Sequence, residues 1–145
     1  MEDEWYRREQ LHFAAQDGEL GRVENLIAAG YDVNAFDEGM RYTPLHYAVK
    51  GEFFAVTRYL ISCGANVNAH DEARIGETPL GAASPECSFE MAELLIEAGA
   101  DPSITGWMGI TAVHRAKDRK DNDGQRVFDL LSKAARRIAR QKSQK

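Results

Sequence analysis

The chain has 145 residues with 18 Lys+Arg against 23 Asp+Glu, a formal net charge of −5, and is 43% hydrophobic and 28% charged. That is the composition of one globular domain of ordinary size, which excludes a disordered, fibrous or collagen-like chain. No apolar run of about 18 residues occurs, so neither a membrane-spanning helix nor a membrane partner is expected.

The N-terminus, MEDEWYRREQ, is charged throughout and lacks the apolar core of a secretory signal, which argues for a cytoplasmic protein. Trp5 and Tyr6 precede the first periodic segment and read as a cap. From Glu9 the segment EQLHFAAQDG predicts a short helix. Leu20, Val23, Leu26 and Ile27 then predict a second, ended by Gly30. The same pair returns twice. TPLHYAVKGE begins at Thr43 and TPLGAASPEC at Thr78, each with Thr at an N-cap position and Pro at the first helical residue. Their second helices are predicted from Phe54, Val56, Tyr59, Leu60 and Ile61, and from Met91, Leu94, Leu95 and Ile96. Gly64 and Gly99 end them as left-handed residues. A fourth unit opens with TAVHRAKDRK at Thr111. A long polar loop, KDRKDNDGQ, follows, and then a helix with Val127, Leu131, Ala134 and Ile138 on one face and Arg136, Arg137 and Arg140 on the other.

The starts at Glu9, Thr43, Thr78 and Thr111 are 34, 35 and 33 residues apart, and the three glycines are 34 and 35 apart. Two landmarks sharing one period indicate a solenoid of repeated units. The TPLH of Thr43–His46, the TPLG of Thr78–Gly81 and the GANVNA of Gly64–Ala69 resemble the ankyrin repeat. The resemblance covers residues 9 to about 132. It implies an all-α ankyrin-repeat solenoid of about four helix–turn–helix units with projecting β-hairpin loops and a basic capping helix at the C-terminus. The units fall at about 7–38, 39–72, 73–105 and 106–140 in a single domain over 1–145, with a basic tail at 133–145.

The chain departs from the family pattern at several points. The loops from Asn34 and from Asn68 are longer than the norm. Gly81 stands where His46 stands in the preceding unit, and Pro85 ends the third unit's first helix early.

Charge divides along the chain. Residues 1–114 hold seven basic and 19 acidic side chains, a net of −12, whereas residues 115–145 hold eleven and four, a net of +7. The acidic part repels phosphates and attracts basic partners. Nucleic-acid contact is therefore expected only, if at all, through the basic tail.

No catalytic chemistry is legible. HExxH, GxSxG, Walker A and GxGxxG patterns are missing from the sequence. His12, His46 and His114 share one repeat position, where the family's His bonds backbone between adjacent units, and His70 is alone in a loop. Cys63 and Cys87 have no CxxC context, so no disulfide framework or zinc site is expected. The chain reads as a non-enzyme with no cofactor, no metal and no small-molecule substrate. Asn34 and Asn68 sit where ankyrin asparagines can be hydroxylated in animal cells. Turn capping by the side chain explains them here.

The family commonly binds partners through loop tips and the concave face. The first tip offers Phe36, Met40, Arg41 and Tyr42, the second Arg74 and Ile75, the third Trp107, Met108 and Ile110. Asp37, Glu38, Asp71, Glu72 and Glu77 alternate with them. One reading is an apolar ridge rimmed by carboxylates that engages a basic protein, since Trp, Tyr and Arg dominate interface hot spots. The other is that the aromatics pack tip on tip inside the stack. The resemblance implies an intracellular adaptor or regulatory inhibitor, monomeric by itself. Its similarity to small stand-alone bacterial ankyrin proteins also admits an immunity-type role, neutralising a toxin by occlusion.

Overall fold

A computed structural model describes residues 3–74 and 76–144. Among these residues the chain is helical throughout, with no strand. The helices are α1 (Glu4–Arg8), α2 (Gln10–Gln16), α3 (Leu20–Ala28), α4 (Pro44–Lys50), α5 (Phe54–Ser62), α6 (Pro79–Ala83), α7 (Phe89–Glu97), α8 (Ala112–Lys117) and α9 (Asn122–Ser143). Two 3-10 turns, Glu72–Arg74 and Trp107–Gly109, lie in the loops. No described helix is long and apolar enough to cross a membrane.

Local chemistry sets the element ends. Thr43, Thr78 and Thr111 cap α4, α6 and α8 in extended backbone, with Pro44 and Pro79 opening the first two helices. The Thr78 hydroxyl accepts from Gly81 N at 2.9 Å. Gly30, Gly64 and Gly99 follow α3, α5 and α7 at φ +99°, +94° and +101°, where any side chain would be strained.

The short helices form one layer, α2 against α4, α4 against α6 and α6 against α8. Outside them α3 packs on α5, and α7 on α9. Leu11, Leu45 and Leu80 occupy equivalent positions and are all buried, beside the small residues Ala14, Ala15, Ala48 and Ala83 that let helices approach. Val127, Leu131 and Ala134 of α9 are buried and close the stack, while Arg136, Arg137 and Arg140 face water. At the other end, α1 lays Trp5 and Tyr6 against Phe13, with ring centroids 6.3 and 5.5 Å away.

Two expectations change. The loops carry no β-hairpin strands among the described residues. A single backbone bond closes two of the tips instead, Asp37 N to Tyr42 O at 2.8 Å and Gly106 N to Ile110 O at 3.0 Å. The polar loop before α9 shrinks to Asp118–Asp121, because the helix already starts at Asn122. Arg119 pins that loop. It pairs with Asp121 at 2.5 Å and donates to the Ser84 and Cys87 carbonyls at 3.2 and 2.8 Å.

Repeat-to-repeat bonds hold the loops in register. Asn34 accepts from Asn66 N at 2.7 Å and donates to Gly64 O at 3.1 Å. Asn68 does the same to Asp101 N and Gly99 O. Each asparagine thus clips the following unit instead of capping its own turn. In the third loop Ser103 stands at the equivalent place and, among the described residues, its side chain bonds Asp101 of its own turn.

Candidate functional site

The tips of the first and third loops face each other across a groove of about 500 Å³, lined by Met40, Arg41, Tyr42, Arg74, Glu77, Trp107 and Arg115 together with Gly39 and Gly76. Trp107 and Met40 are 62% and 61% exposed, and Met108 beside them is 70% exposed. Trp107 and Met40 are thus large apolar side chains left open to water on the groove's lining. Arg41 and Met108 adopt φ of +56° and +61°, a left-handed conformation that costs a non-glycine residue about 1 kcal/mol. Glu52, away from the groove, shares this conformation at φ +60°.

Tyr42, offered as a partner-binding tip residue, follows the packing reading instead of the ridge reading. It is 7% exposed and stacks on His46, centroids 4.6 Å apart and planes 9° from parallel, so it forms the groove floor. Burial, and then the charge of Glu77, raise its phenol above the ordinary range. Asp37 is corrected likewise. It is 5% exposed and accepts hydrogen bonds from Tyr42 N at 3.0 Å and from the Tyr47 hydroxyl, so it is an internal brace and not a rim charge. The two readings of the aromatics therefore divide between residues: Tyr42 packs inward, Trp107 outward.

Glu77 is also internal. Its carboxylate accepts from Trp107 N at 3.0 Å and from Arg115 at 2.5 Å. It sits against Gly81 and Gly106, either of which would collide with it on gaining a Cβ. That explains the missing histidine of the third unit. In the second unit His46 Nδ1 accepts from Thr43 N at 3.0 Å, which fixes Nε2 as the donor to the Glu77 carbonyl at 2.6 Å. His12 Nε2 likewise reaches the Ala35 carbonyl at 2.7 Å, but its Nδ1 has no partner among the described residues. At Gly81 the vacated volume admits the Glu77 side chain, which ties the third unit to the fourth through the Trp107 tip. Reading the sequence missed Arg115 in this role. The available signal was Gly81 in a histidine position together with Gly106 before the tip.

The remaining candidates scatter. Asp71 pairs with Arg41 at 2.7 Å, and that hydrogen bond holds its carboxyl below the usual carboxylate range. Arg41 also lies over the Phe36 ring at 5.3 Å. Phe36 and Glu72 line a separate hollow of about 310 Å³ with Asn34, Asn68 and His70. Glu38 pairs with Arg8 in the open, 2.7 Å apart. Ile110 is half-buried, and Ile75 lies outside the described residues. Cys87 is buried among core residues, and burial pushes its thiol up to about 11, which leaves it protonated and unreactive.

A family model for ankyrin repeats, three copies, matches residues 11–106, about two-thirds of the chain. The chain belongs to the ankyrin-repeat family. Such repeats are generally protein–protein interaction modules and typically non-catalytic. The match runs from α2 to the start of the third tip, so Trp107, Arg115 and α9 lie beyond it. Comparison with curated proteins finds no match.

Proposed function

We propose that this ankyrin array is a non-catalytic protein-binding module whose partner seats on the loop-tip groove, and that it works by occupancy, as an adaptor or regulatory inhibitor. One observation carries the reading: the exposed pair Trp107 and Met40 overhangs a floor held in place by the Glu77–Arg115 ion pair and by the stacking of Tyr42 on His46. The held floor adds little ordering cost on binding, so the cost falls on the exposed rim side chains alone. Trp107 is the central contact, with Met40, Met108 and Arg74 around it. Arg74 makes no ion pair among the described residues and remains exposed.

The partner's positive charge acts at a distance. Glu77, the carboxylate lining the groove, is engaged by Arg115, and Asp71 beside the tips by Arg41, so neither is free for a direct pair. Exposed acids lie instead on and beside the outer helices, at Glu24, Glu86, Glu90, Glu93 and Glu97. Their field speeds the approach of a basic protein without fixing its pose.

The test is affinity capture with mass spectrometry, using the tagged chain and its Trp107→Ala variant after matched circular dichroism and melting curves. A partner held one-to-one by the parent chain should bind the variant about 30-fold more weakly, a loss of roughly 2 kcal/mol. Equal capture by both removes the groove from consideration. Raising salt should slow association with that partner and leave its dissociation nearly unchanged.

A further inference from the structure

On α9 four cations stand in a row. Lys133, Arg136, Arg137 and Arg140 are exposed and together line one hollow of about 380 Å³, with Gln141 and Gln144 at its edge. Steps of three, one and three residues set them along one face over about 10 Å. Six arginines N-terminal to this row each hold a carboxylate: Arg8, Arg22, Arg41, Arg115, Arg119 and Arg126. Among the described residues none of the four forms an ion pair. Like charges three and four residues apart repel one another. The helix dipole offsets that only in the last turn, and Lys133 lies about three turns before the end of α9.

The opposite face of α9 is occupied. Val127, Leu131 and Ala134 are buried against the stack, and Lys142 approaches Asp101 to 3.8 Å near the far end. The helix therefore has no apolar face free to enter a lipid surface. Nucleic acid and membranes are also extended anions, and both would run over the strongly acidic body formed by residues 1–114. A short segment matching the 10 Å row avoids that repulsion. Guanidinium groups grip carboxylates two-pronged, in a geometry that a lysine cannot reproduce.

We propose that this row is a second docking surface, separate from the loop-tip groove, and that its occupant is a short acidic protein segment carrying carboxylates at helical spacing. It does not depend on the groove reading.

The probe is a fluorescent alanine-rich helical peptide with Glu at four positions spaced three, one and three apart, measured by anisotropy against the full chain at about 150 mM salt. A peptide of the same composition with its Glu residues spread around the helix is the comparison. The first peptide should bind at least tenfold more tightly than the second. It should lose at least tenfold in affinity for the chain carrying K133Q, R136Q, R137Q and R140Q, whose melting temperature should be unchanged or higher. Trp107→Ala and Arg74→Gln should leave this binding alone, which separates it from failure of the groove. If the fourfold variant loses its helical spectrum, the pair R136Q and R140Q replaces it, with at least a threefold loss expected. Equal affinity for the two peptides, or no loss in the variants, overturns the proposal. So does tighter binding, through the same four residues, of a duplex RNA of about ten base pairs or of vesicles with about 30% phosphatidylserine.

Discussion

Thr57 lies on α5 with its side chain wholly enclosed, and its hydroxyl has no hydrogen-bond partner among the described residues. An enclosed hydroxyl without a partner costs free energy that an isosteric methyl does not. Thr57→Val should therefore stabilise the fold by about 1 kcal/mol in urea denaturation. His46 makes the opposite case, a buried polar group fully used. Burial, opposed by its bond to the Glu77 carbonyl, lowers its imidazole from 6.5 to about 4. The folded chain thus binds this proton less readily than the unfolded chain. The resulting stability is complete above pH 6.5 and is lost as pH falls towards 4, by up to ~3 kcal/mol. Comparing urea stability with that of His46→Gln across this window checks it. The stability difference between the two proteins should shrink on acidification, and a constant difference would contradict the assignment.

At the scale of elements, the third tip is held by one carboxylate. Glu77→Ala should cost about 2–3 kcal/mol, because Arg115 is left half-buried without its partner. The amide of Trp107 should then exchange faster by hydrogen-exchange NMR. Restoring the family histidine makes a sharper test. By sequence pattern Gly81→His improves the third unit. In the structure its side chain meets the Glu77 carboxylate, so it should destabilise by about 1–3 kcal/mol. The double change with Glu77→Ala should recover part of that loss, a coupling that thermal denaturation of the four proteins measures.

Across the whole molecule the stack needs its ends closed. Val127 and Leu131 are buried where α9 covers α7 and α8, each worth about 1.5–3 kcal/mol. A chain ending at Asp121 should lose at least ~3 kcal/mol and the sharpness of its thermal transition, since terminal units with a polar outer face keep solenoids soluble and cooperative. Calorimetry against the full chain reads both effects.

The sequence by itself determined the repeating frame, and the reason is locality. Thr-Pro at 43–44 and 78–79, the glycines at 30, 64 and 99, and the apolar steps between them each act within one or two turns of backbone, so their meaning does not depend on distant residues. The α9 stripe was legible for the same reason. Exposure at the tips was not. Whether Tyr42 faces water depends on the His46 ring beneath it, and whether Asp37 is a surface charge depends on Tyr47, ten residues along. Glu77 meets Arg115 across 38 residues, in a space that exists only because Gly81 and Gly106 leave it empty. Only the tertiary structure decided which aromatic forms the floor and which the rim, because burial is a property of neighbours brought together by stacking and not of the residue's own type.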